Sequence, residues 1–163
     1  MLKKIFFLIF FVAMGNLLTG NETTTLSTKN LNIEALYHSM KLDRVVCYQA
    51  FEQAMTGYQR IPTKNRNIVT LIDFSKPSTA ERLFVLDIQK KLILFSSHVS
   101  HGRNSGGNYA TSFSNKSGSY QSSLGFYVTE NTYQGKNGYS LVLDGLENGI
   151  NNKAKERAIV IHG

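Results

Sequence analysis

The chain has 163 residues, 42% of them hydrophobic, and a formal net charge of +7. That length and composition exclude a disordered or fibrous chain and predict one domain with a core of its own. The basic residues are scattered, with no basic helix, zinc-finger spacing or aromatic-basic strand pattern, so nucleic acid is not an expected partner. Scattered positive charge suits contact with an anionic polymer such as a cell wall, and it suits a solvated surface equally well.

The amino terminus has the layout of a secretory signal over residues 1–20. Lys3 and Lys4 precede the apolar run Ile5 to Met14, and small and polar residues follow. Ala13-Met14-Gly15 offers small residues for a cleavage site, and the Thr19-Gly20 junction offers a second. Asn21 stands where a lipoprotein box would carry its cysteine, so no lipid attachment is expected. Membrane contact is expected only through this segment, and the compartment is the periplasm or cell envelope.

Residues 21–41 read as a linker, rich in Thr, Ser and Asn, ending in a short helix over Leu31 to Met40. Leu42 to Tyr58 reads as a stronger helix, with Asp43 in its first turn and Cys47, Phe51, Ala54, Met55 and Tyr58 on one face. Gly57 and Pro62 bracket its end. From Asn67 onward the period changes. Ile68 to Phe74, Arg82 to Ile88 and Leu92 to Ser100 are predicted strands, the last two joined as a hairpin across Gln89-Lys90-Lys91. A long irregular stretch, His101 to Ser123, is dense in Gly, Ser and Asn; a loop of that length in a compact domain is usually functional or disordered, and its tyrosines, Phe113 and the flanking strands argue for an ordered one. Gly125 to Thr129 and Tyr139 to Leu143 are strands joined by a polar connection, Glu130 to Gly138. A short helix over about Glu147 to Glu156 leads to a terminal strand ending at His162-Gly163. Helices followed by a run of strands predict an α+β chain dominated by a mostly antiparallel sheet.

Chemistry has few candidates. Cys47 is the only cysteine, so no intramolecular disulfide forms, and its place on an apolar helical stripe reads as packing. His98 and His101 sit three apart at a strand end, where a period of two points them to opposite faces, so no metal and no other cofactor is expected. Gly-x-Ser-x-Gly and a phosphate-binding loop are both missing. His162 is the candidate that remains: an imidazole fixed at the end of a β-branched strand is well placed to serve as a general base.

Four stretches carry a family resemblance: Arg82-Leu-Phe-Val-Leu-Asp-Ile-Gln-Lys-Lys-Leu-Ile-Leu-Phe95, Val99-Ser-His-Gly102, Ser122-Ser-Leu-Gly-Phe-Tyr127 and Ile159-Val-Ile-His-Gly163. Together they resemble the YkuD-type L,D-transpeptidase catalytic domain, and more closely its murein L,D-transpeptidase branch. Asp73-Phe-Ser-Lys-Pro-Ser78, His101-Gly-x-Asn-Ser-Gly106, Phe113-Ser-Asn115, Gly138-Tyr-Ser-Leu141 and Asp144-Gly-Leu146 add to the likeness, in the same order throughout. It covers residues 42–163, which become the catalytic domain in this reading.

The resemblance implies a β-rich fold whose sheet walls a peptide-binding cleft. In the family scheme a cysteine thiolate attacks the carbonyl of the L-centre of a diamino acid in a peptidoglycan tetrapeptide stem and expels D-alanine. An amine of a second stem, or water, then takes the acyl group from the thioester. His162 matches the histidine that activates the thiol, and the Gly163 carbonyl matches the group that orients the imidazole. Ser122, Ser123, Gly125 and Tyr127 match the substrate-binding wall, with Ser122 and Ser123 replacing the Thr-Pro of typical members, and Ser119 opens the region expected to hold the stem.

The family nucleophile belongs to a Ser-x-Gly-Cys segment after the His-Gly, and residues 1–163 do not contain it. The expectation is therefore a domain incomplete at its carboxyl end and inactive as it stands. A catalytically silent, exported peptidoglycan-binding module is the alternative. A third reading is a serine hydrolase pairing His162 with Ser119, Ser122 or Ser123.

Overall fold

A computed structural model describes residues 7–10, 32–61 and 67–163. Lys3, Lys4, both cleavage junctions, the linker through Leu31 and Pro62 lie outside the described residues. The elements run β1 (Phe7–Phe10), α1 (Ile33–Ser39), α2 (Tyr48–Arg60), β2 (Ile68–Asp73), β3 (Leu83–Asp87), β4 (Leu92–Ser97), β5 (Gly125–Gly135), β6 (Gly138–Gly145) and β7 (Val160–His162). The strands form one sheet in the order β4-β3-β2-β1-β5-β6-β7. Every pairing is antiparallel except β1 with β5, so the α+β architecture is the one predicted.

Period two decides which side of the sheet each residue faces. Val69 and Leu71 of β2 and Phe84 and Leu86 of β3 are fully buried against the helices, together with Phe51, Ala54 and Met55 of α2. Ile72 and Leu83 point the other way, into a second cluster with Phe74, Tyr127, Leu143 and Ala154. Each large apolar side chain so enclosed contributes about 1.5–3 kcal/mol. The second cluster matters for function, because what covers that face is the irregular stretch after β4 and the turns before β7.

Local chemistry sets the helix ends. Asn32 caps α1 by accepting from the Ala35 N–H at 3.0 Å, with Glu34 in the first turn and His38 in the last, as the helix dipole favours. The second helix begins at Tyr48, later than the expected Leu42. Residues 42–46 make a single turn, and the Val46 carbonyl that would carry a helix onward instead accepts from the buried Tyr37 hydroxyl at 2.6 Å. Cys47 is thus the N-cap residue, half-buried against the helix-side core, with no capping bond from its side chain.

Two further differences follow from side chains that compete with the backbone. The helix expected over Glu147 to Glu156 is a series of turns. Asn151 Oδ1 accepts from the Glu147 N–H at 2.8 Å, Asn152 Oδ1 accepts from the Gly149 N–H at 2.9 Å, and Gly149 has φ +76°. The connection expected over Glu130 to Gly138 is mostly strand. The long hairpin β5–β6 closes at Gly135↔Gly138, and a register shift between Thr129 and Thr132 absorbs the irregularity.

Of the expected leader, residues 7–10 are described, and they lie as β1 in the sheet interior. Leu8 pairs with Ile72 on one side and with Gly125 on the other. Among the described residues no helix is long and apolar enough to cross a membrane.

Candidate active site

Strand β7 is short because only Val160, Ile161 and His162 pair with β6, His162 opposite Ser140. The β-branched residues fix its direction, and the strand end leaves the His162 side chain exposed at the mouth of a groove of about 710 Å³. A carbonyl oxygen accepts and never donates, so the 2.8 Å contact between His162 Nδ1 and the Gly163 oxygen places the ring proton on Nδ1. In the neutral tautomer so fixed the lone pair falls on Nε2, the nitrogen a general base would use.

The facing wall of the groove is the stretch from Ser100 to Ser122, and two arginines hold it in shape. Arg82 is fully buried at the entry to β3. Its guanidinium donates to the Val99 carbonyl from Nε at 3.0 Å and from Nη2 at 2.7 Å, and to the Lys76 carbonyl from Nη1 at 3.0 Å. Nη2 also donates to His101 Nδ1 at 2.8 Å. Arginine has no acceptor, so that ring carries its proton on Nε2, which donates to the Gly106 carbonyl at 3.3 Å. Burial pushes the Arg82 pKa down, and the charge of buried Asp73 pushes back.

Arg157 works from the other side, three residues before the final strand begins. Nη1 donates to the Ser114 carbonyl and to the Ser123 hydroxyl, each at 2.5 Å. Nη2 donates to the Ser119 hydroxyl at 3.0 Å and to the Gln121 carbonyl at 2.7 Å. All four acceptors are neutral, so the fork ties down the loop without cancelling its own charge. Gly102 lets the two loop strands cross closely, since a Cβ there would sit 2.5 Å from the Tyr120 carbonyl oxygen.

These contacts sort the residues singled out from the sequence. His162 and Ser122 line the same groove, and Ser122 Oγ accepts from the Gly102 N–H at 2.9 Å. Ser119 and Ser123 are held by Arg157, and Ser123 is buried, donating to the Ser114 carbonyl at 2.7 Å. Gly125 opens β5 at φ +109°, where a Cβ would stand 1.9 Å from Glu147 Oε2. That carboxylate accepts from the Phe126 N–H at 2.8 Å. Tyr127 has no exposed surface; its hydroxyl donates to the Ser123 carbonyl at 3.1 Å, and burial pushes its pKa up to about 12. Gly163 supplies the oxygen that orients His162.

No serine hydroxyl is hydrogen-bonded to His162 among the described residues, which leaves the serine-hydrolase reading without its central contact. Cys47, with a free thiol, packs against the helix-side core and is not among the residues lining the groove. No group of three or more His, Cys, Asp or Glu is arranged to hold a metal among the described residues.

Sequence reading missed Arg82, Arg103, Tyr120 and Arg157 as parts of this wall. Their partners lie far away along the chain, so no spacing rule connects them. The one local signal was the set of tyrosines and Phe113 in a polar loop, which marked it as ordered.

Comparison with known families adds one result. The L,D-transpeptidase catalytic domain family matches residues 42–163, three-quarters of the chain. Neither the curated proteins nor the solved structures contain a match. With His162, its orienting carbonyl and the loop-walled groove all inside the matched span, this chain belongs to the L,D-transpeptidase catalytic domain family.

Proposed function

We propose that the groove binds peptidoglycan peptide stems and that His162 is the base that activates a thiol for acyl transfer on them. The observation that carries this reading is the His162 ring. Its proton is committed to the Gly163 carbonyl at 2.8 Å, and Nε2 is free at an exposed strand end beside the groove. An imidazole so held raises the thiolate fraction of a neighbouring thiol. It then returns the proton to the departing amine of D-alanine as the thioester forms. The second half of the reaction reverses the roles: the same nitrogen takes a proton from the incoming amine, or from water, as the acyl group leaves sulfur.

Ser122 is the proposed contact residue of the wall, while Ser119, Ser123, Gly125 and Tyr127 act by fixing its shape. Cys47 is remote from this chemistry, so residues 1–163 are expected to bind stems without turning them over. That behaviour is also what a peptidoglycan-binding module would show, and delivery of a thiol to the groove separates the two readings. Export to the periplasm or cell envelope through the 1–20 segment completes the proposal.

The test is a titration of isotope-labelled protein with a purified tetrapeptide stem. Resonances of His162 and Ser122 are expected to move, alkylation of Cys47 to leave the affinity unchanged, and no thioester to appear by intact mass. Shifts confined to α2, or no binding at millimolar stem, would overturn the assignment.

A further inference from the structure

Arg103 differs from the other two arginines of this wall. Arg82 and Arg157 spend their donors on backbone carbonyls, serine hydroxyls and the His101 ring nitrogen, whereas Arg103 makes no hydrogen bond or ion pair among the described residues. Its Cζ instead lies 3.8 Å from the centroid of the Tyr120 ring, close stacking for a cation on an aromatic face. Both side chains are exposed and both line the groove that holds His162.

Tyr120 is kept there against its own preference. Its φ is +54°, a left-handed conformation that a bulky residue adopts only when its surroundings impose it. The surroundings do so. The Tyr120 carbonyl accepts from the Asn104 N–H at 3.1 Å, Asn104 Nδ2 donates to the Ser119 carbonyl at 2.9 Å, and Gln121 Nε2 donates to the Asn104 carbonyl at 3.1 Å. The loop therefore holds a ring in a strained position, and the ring carries a guanidinium whose edge is unsatisfied. A stacked guanidinium keeps its planar fork of donors free, and that fork matches a carboxylate in bidentate fashion.

The groove's charge agrees. Arg103 and Arg157 are both uncompensated by direct contact, and Glu156 is the single carboxylate on the lining. We propose that Arg103, stacked on Tyr120, is the element by which this groove recognises a carboxylate of its peptide ligand. The inference rests on the stem-binding reading and adds to it which group of the stem is read. A tetrapeptide stem offers two carboxylates near the reacting bond, on the terminal D-alanine and on the far centre of the diamino acid.

Calorimetric titration of the stem into wild-type protein and Arg103→Gln tests this, run with stems amidated at one or the other carboxyl group. Arg103→Gln is expected to weaken binding of the free-acid stem by about tenfold or more. Amidation at the recognised carboxyl should weaken binding to wild type by the same factor and leave the variant's affinity unchanged, which identifies the carboxylate. Equal affinity of wild type and variant for the free-acid stem overturns the role of Arg103 and leaves the stem reading standing. As a second measurement, N-acetyl-D-alanine is titrated while the Arg103 Nε–H resonance is followed. A saturable shift without any stem binding would keep the carboxylate site and overturn the stem reading. No shift of Arg103 with either ligand overturns the inference.

Discussion

Arg157 and Ser123 stand 34 residues apart in the chain, yet the guanidinium donates to the serine hydroxyl at 2.5 Å. This contact joins the lead-in to the histidine strand to the wall that faces it. The relative position of His162 and Ser122 is therefore set by one side chain that belongs to neither.

Replacing Arg157 with alanine leaves two carbonyls and two hydroxyls with one partner fewer. A loss of about 2–4 kcal/mol in unfolding free energy is expected, measured by urea denaturation. Lysine is expected to recover little of it, because a single ammonium cannot span the fork. Limited proteolysis should cut between Ser114 and Ser123 faster in both variants. Stability within about 0.5 kcal/mol of wild type, with an unchanged cleavage pattern, would show that the loop holds itself.

Tyr127 gives an alkaline signature. Burial, the largest cause, raises its pKa from 10.0 to about 12 in the folded chain, so the folded state retains a proton that the unfolded state releases. The associated stability is fully present below pH 10 and is lost as pH rises through about 12. Across that window wild type should lose roughly 2–3 kcal/mol more than Tyr127→Phe, which has no proton to release. At neutral pH the same variant should cost only about 1 kcal/mol, the bond to the Ser123 carbonyl. Parallel curves for the two proteins up to pH 12 would remove Tyr127 from the account.

The amino-terminal strand makes a third case. Signal cleavage at either predicted junction would take β1 out of the sheet and leave β2 and β5 with unpaired edges. Residues 21–163, compared with the full chain, are expected to melt at lower temperature and to self-associate on size exclusion. Amide exchange should be faster in β2 and at Phe126, the strands that flank β1. Identical protection in the two chains would mean that β1 carries none of the sheet's stability.

The sequence by itself determined the periodic elements and the chemistry at their ends. Short continuous apolar runs rich in β-branched residues, such as Ile68 to Asp73 and Leu83 to Asp87, suit strands buried on both faces, and a histidine followed by glycine after a β-branched triplet marks the strand's end. Matching stretches in order were enough to find the family. Tertiary structure decided the rest. It placed Ser123 and Tyr127 behind the groove wall, seated β1 between β2 and β5, and turned Glu147 to Glu156 away from helix. It also brought Arg82 to His101 and Arg157 to the serine loop, across 19 and 34 residues. The physical reason is the same throughout: a local pattern reports which backbone form a segment prefers. Which distant donor satisfies a buried oxygen is settled only when the packed chain has excluded water from both.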